Sequence, residues 1–265
     1  MIRSSALVSL TAAIGTLFAT YASQAADLPR YTKAPPAYVP PPPSWSGCYV
    51  GGNVGAGWDH TNNLGTAFAG TTFDPPFDYG TSSGSAVIGG GQVGCDYQFA
   101  SSWVIGIQGK ADFGKINSSN PVAPFPGITA AYQLKNTEDI TARLGYAVSP
   151  AVLAYVKGGV AWASTNVSAL AIPVTAESAN IGRTGYTVGG GLEWQFAPGW
   201  SVFTEYNYFD FGTKTSNLYS TGLIPAFGAN GAVADTIAWR LRSQEALVGV
   251  IYRFNWAGSP VVAKY

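Results

Sequence analysis

Residues 87–99 read VIGGGQVGCDYQF, and the fold of this region depends on the role of its glycines. The spacing Gly-x-Gly-x-x-Gly occurs in dinucleotide-binding loops, where a strand precedes it and a helix opens within it to hold the phosphates. Strong strand formers follow the motif here, and no apolar period of three to four residues indicates a helix. Alternate positions carry Val87, Val93 and Tyr97 on one face and Gln92 and Asp96 on the other. The stretch therefore predicts a β-strand, and a lone glycine match is a weak sign of nucleotide binding.

The same period of two recurs along the chain and predicts an all-β protein. Each run is about 10–14 residues long, which matches a tilted strand that crosses a bilayer. The eight candidate strands are residues 48–58, 87–99, 103–113, 132–146, 152–162, 184–196, 200–211 and 240–254.

The connections between these strands alternate in length. Those near 99–102, 147–151 and 197–199 are tight, whereas those near 59–85, 114–131, 163–183 and 212–239 are long and polar. All 17 prolines fall outside the proposed strands, as expected because proline cannot donate to a central ladder. The pattern predicts an eight-stranded antiparallel transmembrane β-barrel with short periplasmic turns and long extracellular loops.

The charged residues indicate which face of each strand points inward. An ionised group facing hydrocarbon would cost about 2–4 kcal/mol near the midplane, so the polar faces should line the interior. Glycine pairs would leave room there for bulkier groups, and the eight tryptophans, at or beside strand ends, would form an interfacial girdle. The charges expected inside are Lys110, Asp112, Asp139, Arg143, Lys157, Glu193, Glu205, Glu245 and Arg253.

The ends of the chain indicate export. Arg3 precedes an apolar stretch, and the small residues Ser23 and Ala25 predict a signal peptide over residues 1–25, cleaved between Ala25 and Ala26. Residues 26–45 form a proline-rich linker, expected to be periplasmic, and the barrel should occupy 46–254. With 14 basic and 14 acidic residues, the chain has no net charge that would favour nucleic acid.

Several segments together resemble the small porin-like outer-membrane surface antigens of alphaproteobacteria. They are ADLP at 26–29, the proline linker, WSGCYVGGNVG at 45–55, IGGGQVG at 88–94 and GYTVGGGLE at 185–193. The resemblance spans nearly the whole mature chain. It implies an abundant, immunogenic eight-stranded barrel in the outer membrane of a Gram-negative bacterium, without catalytic residues. Some relatives are reported as haemin binders or as contributors to envelope integrity.

The last strand is expected to end at Phe254. Its final residues, with the aromatics Tyr252 and Phe254, resemble the assembly signal of outer-membrane barrels. Residues 255–265 would then form a periplasmic tail in which Pro260 obstructs another central strand. In the rival interpretation, Tyr265 is the functional end of the barrel.

Cys48 and Cys95 are candidates for a disulfide, because the chain passes through the oxidising periplasm. If they lie opposite each other on antiparallel neighbours, the same register pairs Val50 with Val93 and every outward residue with an outward one. Both cysteines would face lipid near the periplasmic rim, and two unpaired thiols are the alternative.

Three functions fit the sequence to different degrees. We expect a structural surface barrel that contacts outer-membrane lipid, lipopolysaccharide and the barrel assembly machinery, with no cofactor and no catalysis. A small diffusion pore or loop-mediated binding of haemin or a host surface is the alternative, and haem ligation would rest on His60 with Tyr79 or Tyr219. A lipid-modifying barrel enzyme is more remote, since His60 would need Thr61 or a serine among 82–85 beside it. Two cysteines and one histidine cannot build a closed zinc site.

Overall fold

A computed structural model of the chain describes residues 44–122, 127–171 and 174–254. The predicted signal peptide with its Ala25–Ala26 cleavage site, the linker up to residue 43 and the 255–265 tail lie outside the described residues.

The described residues form eight β-strands and a short 3-10 helix, Pro225–Phe227. No helix among them is long and apolar enough to cross a membrane. The strands are β1 Gly47–Phe68, β2 Thr71–Phe99, β3 Trp103–Pro121, β4 Ile128–Ser149, β5 Val152–Ala171, β6 Val174–Ala197, β7 Trp200–Ser220 and β8 Val233–Phe254.

Each strand pairs antiparallel with its neighbours in sequence, and β1 pairs with β8 to close the barrel. The predicted register of β1 on β2 is confirmed, because Cys48 lies opposite Cys95 and Val50 opposite Val93. The last strand, β8, is described up to Phe254, and the predicted tail that follows lies outside the described residues.

The two ends of the barrel differ in their connections. Three short turns join β2 to β3, β4 to β5 and β6 to β7 at the tight-turn end, where β1 also begins and β8 ends. At the opposite end, called the hairpin end, most of the expected long loops are instead paired strand. Ala69 and Gly70, for example, both have positive φ and join β1 to β2 in a two-residue turn. Such turns match the right-handed twist of the strands, so pairing continues up to them.

An apolar belt surrounds the barrel next to the tight-turn end. From Cys48 to Trp58, β1 advances about 33 Å, and a tilt of about 40° reduces this to about 25 Å, the height of an outer-membrane apolar band. Beyond the belt the strands continue as a projecting hairpin half. Outward apolar residues of the belt include Val54, Val87, Val93, Ile105, Ile107, Ile140, Leu144, Val156, Val160, Val188, Leu192, Val248 and Val250.

Aromatic side chains mark both edges of the belt. Trp103, Trp194 and Trp200 lie at the tight-turn edge, and Trp58 and Trp162 lie at the other, all exposed outward. The expectation that every tryptophan is interfacial was wrong for two of them: Trp45 and Trp239 are 1% and 0% exposed and lie inside the barrel. The predicted assembly-signal aromatics, Tyr252 and Phe254, face outward at the tight-turn edge and stack edge to face.

Candidate functional site: the barrel interior

The interior at the level of the belt contains ionised side chains in two layers. All nine charged residues expected to point inward are buried, which confirms the predicted orientation of the strands. A tenth, Asp96, belongs to the same set; it lies on the polar face of β2, and its position in the alternation could have identified it.

The layer nearer the tight-turn end joins two arginines to two carboxylates. The Arg143 Nη2 atom lies 2.6 Å from Glu193 Oε2, and its Nη1 lies 3.4 Å from Asp96 Oδ2. Arg253 contacts the same two carboxylates, at 2.9 Å to Asp96 and 3.1 Å to Glu193. All four side chains are at most 1% exposed, so the opposite charges pair with each other in the barrel interior instead of facing water.

The second layer lies nearer the middle of the belt and contains two lysines and four carboxylates. Lys110 Nζ lies 2.6 Å from Asp112 and 2.7 Å from Glu245, and Lys157 Nζ lies 2.8 Å from Glu205. Asp139 lies 3.6 Å from Lys110 and 3.7 Å from Lys157, so it joins the two groups. Thr137 donates a hydrogen bond to Glu245 at 2.6 Å. These contacts link the side chains of several strands across the lumen.

Aromatic rings fill the space around these charges, and glycines make room for them. A Cβ atom on Gly94 would lie 2.5 Å from the Tyr49 ring, and one on Gly191 would lie 2.7 Å from the Tyr155 hydroxyl. Tyr155 also lies under Arg143, whose guanidinium carbon is 3.7 Å from the ring centroid. The inward glycines are therefore packing positions of a filled barrel, as the sequence predicts.

Trp45 closes the tight-turn end of the interior. It packs with Val104 and Leu153, and its carbonyl accepts a hydrogen bond of 2.9 Å from Arg253 Nη1. The residue precedes β1, and its ring covers the ionic layer nearer the tight-turn end. Trp45 therefore lies inside the barrel and does not join the girdle.

The interior of the projecting half contains a large apolar cluster beside buried polar side chains such as Thr61 and Ser82. Trp239 lies at its centre, with the Arg183 guanidinium 3.4 Å from its ring centroid and the Tyr132 ring 5.4 Å away. The apolar cluster that contains Trp239 also includes Ile88, Ile116, Leu134, Ala161, Ala163, Val167, Phe209, Phe211, Leu218, Ile237, Leu241 and Leu247. This packing replaces the ionic layers as the strands leave the belt.

A cavity of about 240 Å³ lies at the hairpin end, above this core. Glu177 of β6 and Asp235 of β8 line it, together with Tyr79 and Tyr132. Burial, and then the nearby Asp235 charge, raise the pKa of Glu177 to about 8, and burial raises the pKa of Asp235 to about 6. Neither carboxylate is among the charges predicted to point inward, because both fall in segments that the sequence predicts to be loops.

His60, the histidine considered for catalysis or haem binding, lies on the outer face of β1. Its Nδ1 atom is 2.9 Å from Ser83 Oγ, and both side chains are solvent-accessible. A catalytic nucleophile–base pair needs a third group that orients the base. Among the described residues, no carboxylate forms such a hydrogen bond with the His60 ring. Tyr79 is buried inside the barrel, whereas His60 and Tyr219 are exposed.

The described residues contain no cluster of three or more histidine, cysteine, aspartate or glutamate side chains placed to hold a metal ion. Cys48 and Cys95 lie on the outer face near the tight-turn end, and a disulfide joins them in the structure.

Residues 13–254 match the family model of the outer membrane protein beta-barrel domain. The chain belongs to this family. It is 28% identical over 225 residues to the 31 kDa outer-membrane immunogenic protein of Brucella melitensis, covering 77% of this chain and 87% of the relative. It is 26% identical to the 25 kDa outer-membrane immunogenic protein of Brucella abortus, covering 83% and 84%.

Among solved structures, the outer membrane protein OprG of Pseudomonas aeruginosa aligns with a TM-score of 0.49 at 11% identity, over 79% of this chain and 97% of that one. The family and its immunogenic relatives place this barrel in the outer membrane, with surface antigens among its homologues.

Proposed function

We propose that this outer-membrane barrel is a non-catalytic structural protein with a closed interior, whose hairpin half is exposed at the cell surface. The observation that carries the proposal is the pair of ionic layers, which fill the lumen at the level of the belt with buried side chains. Four cations and six carboxylates lie there among aromatic rings, a packed network and not a lining around a water-filled channel.

Closure follows from the size of the barrel. Eight strands enclose an interior just wide enough for side chains, whereas large aqueous channels need about sixteen. Opening a path would require separating pairs such as Arg143–Glu193, and an uncompensated buried charge costs about 3–5 kcal/mol. The closed interior therefore argues against the diffusion-pore alternative.

The orientation of the barrel follows from its two ends. Barrels of the bacterial outer membrane have short turns on the periplasmic side and longer connections outside. The linker and the C-terminal tail, which flank β1 and β8 at the tight-turn end, would then be periplasmic. The belt would contact outer-membrane lipid and lipopolysaccharide after insertion by the barrel assembly machinery. The projecting hairpins would supply the antigenic surface and any loop-mediated contact with haemin or a host.

Catalysis is disfavoured by the surroundings of His60. Its contact with Ser83 lies on the outer wall without an orienting carboxylate among the described residues. A lipid-modifying activity would need that third group to position the base.

Planar-bilayer recording tests the proposal. The full chain, purified from outer membranes, should give no steady openings of nanosiemens scale, while a sixteen-stranded porin handled in parallel supplies the positive control. Steady nanosiemens openings that scale with the amount of folded protein would contradict the closed interior.

We also propose that the Cys48–Cys95 disulfide forms in the cell. Its partners lie directly opposite each other, and it would close a loop of 47 residues in sequence separation. Denatured, unreduced protein from membranes should resist alkylation at both cysteines, with the linked peptide visible by mass spectrometry. Complete labelling of both thiols without reductant would show that they are unpaired.

A further inference from the structure

The cavity at the hairpin end combines an apolar wall with two acidic groups. Its apolar lining includes Phe68, Val122, Ile128, Leu218, Phe227 and Ile237. Its volume of about 240 Å³ corresponds to about eight water molecules at liquid density, room for a small organic molecule. Phe227 belongs to the short 3-10 helix between β7 and β8, which covers part of the cavity.

Glu177 is the unusual group in this wall. The side chain lines the cavity, the residue is only 1% exposed, and its Oε2 atom has no hydrogen-bonding partner among the described residues. A buried acceptor without a donor is costly, and native proteins usually satisfy such groups with protein, water or ligand. The cavity in front of Glu177 is where a donor could be placed.

The groups that surround Glu177 leave its charge uncompensated. Asp235 of β8 adds a second negative charge, and the Tyr79 hydroxyl of β2 donates a hydrogen bond to Asp235. Tyr132 of β4 is neutral, because burial raises its pKa. Arg183 of β6 stacks on Trp239 and donates to the carbonyls of Gly212 and Trp239, so it forms no ion pair with Glu177.

We propose that this cavity binds a small primary organic ammonium ion, whose N–H groups bond Glu177 while its apolar body packs against the aromatic and aliphatic wall. A cation there would offset both acidic charges, and the faces of Phe68, Tyr79, Tyr132 and Phe227 suit a cation through their ring quadrupoles. A neutral apolar molecule would leave the charges unpaired, and the described residues offer no third histidine, cysteine or carboxylate that would help to hold a metal ion there.

The proposal is tested with 2-phenylethylammonium as the probe and 2-phenylethanol as its neutral counterpart. Both have nine non-hydrogen atoms, which suits the volume of the cavity. Calorimetric titration of the full chain in detergent micelles should show saturable binding of the ammonium, with the alcohol bound about tenfold or more weakly. Equal affinity for the two probes would overturn the ionic part of the proposal, and no saturable ammonium binding at pH 8.5 would overturn it entirely.

Two isosteric variants connect the binding to this carboxylate. Glu177→Gln should weaken ammonium binding about tenfold or more, whereas Glu138→Gln, on an exposed residue of β4, should leave it unchanged. Heat-modifiable migration on a gel confirms that both variants fold. Unchanged binding in folded Glu177→Gln would show that the ammonium binds elsewhere, including the micelle.

The pH dependence gives a second readout. The probe stays charged below pH 9, whereas Glu177 must lose its proton to pair with it, so the affinity should rise from pH 6 to about pH 8 and then level off. The Glu177→Gln variant should lose this rise. A wild-type affinity independent of pH over that range would contradict a role for Glu177.

Discussion

The belt and the projecting half of the barrel differ in the polarity of their two faces. The belt is apolar outside and charged inside, whereas the projecting half is polar outside and has an apolar cluster inside. Along β5, Val156 and Val160 face outward at the belt while Lys157 points inward. Farther along the same strand, Val167 points inward and Asn166 lies on the outer face. The change occurs near Trp162, where the belt ends.

The difference shows that the surroundings decide the polarity of each face. Strand geometry alternates side chains with a period of two throughout, so the backbone does not change at Trp162. Lipid requires an apolar exterior, and the enclosed charges then pair with each other. Water permits a polar exterior, so apolar residues such as Trp239 and Val167 gather inside as in a soluble barrel. The barrel is thus one continuous sheet that encloses an ionic core at the belt and an apolar core in the projecting half.

The largest expected effect comes from unpairing the ionic core. Arg143→Leu leaves Asp96 and Glu193 with Arg253 as their remaining partner and should lower the free energy of unfolding by about 3–5 kcal/mol. Arg242→Leu is the matched change in the projecting half, where the arginine is 39% exposed and 3.6 Å from Asp210; it should cost about 1 kcal/mol or less. Urea unfolding in lipid vesicles, followed by tryptophan fluorescence, measures both. Similar losses would mean that Arg143 is solvated.

A smaller effect is expected from an arginine on the outer wall. Val156→Arg lies near the middle of the belt and should cost about 2–4 kcal/mol, because the charge must enter hydrocarbon. Thr215→Arg places the same side chain, also from a β-branched residue, on the exposed face of β7 in the projecting half and should change stability by about 0.5 kcal/mol or less. The same unfolding assay compares them. A small loss of stability in Val156→Arg together with a large loss in Thr215→Arg would mean that the projecting half, and not the belt, contacts lipid.

A third effect concerns Glu177 and depends on pH. Because its folded pKa of about 8 exceeds the ordinary 4.5, the folded state keeps a proton that the unfolded state has lost between these values. Stability should therefore fall as pH rises from about 5 to 8, by about 1 kcal/mol per pH unit relative to Glu177→Gln. Unfolding at pH 5, 6, 7 and 8 gives the difference. A constant gap between the two proteins would show that Glu177 is solvated, and Glu138→Gln serves as the exposed control.

The sequence predicted the belt well because each of its faces has one consistent polarity. Alternation placed nine charges inside, and it is consistent with the register that pairs Cys48 with Cys95, since a slip of one residue would turn charges toward lipid.

The projecting half was harder to predict because one strand face changes polarity along its length. On β8, the inward face carries Ile237, Trp239 and Leu241 and then continues into Ser243 and Glu245. With the inward face defined as polar, the part of β8 before residue 240 does not fit the barrel pattern, and the sequence predicts a loop there. Allowing the polarity to reverse at the belt edge would have extended the strand. The cavity could not be predicted from the sequence, because its lining combines side chains from separate strands, among them β2, β4, β6 and β8.

Accessibility of nitroxide labels along the outer face of β5 tests most directly whether the two halves meet different solvents. Single cysteines at Val156, Val160, Ser164, Asn166 and Ser168 would be labelled in a Cys48→Ser, Cys95→Ser background reconstituted in vesicles. We expect collisions with oxygen to dominate at 156 and 160, and collisions with a water-soluble nickel chelate to dominate at 166 and 168, with the crossover near Trp162. Oxygen dominance at all five positions would contradict a reversal of polarity at the edge of the belt.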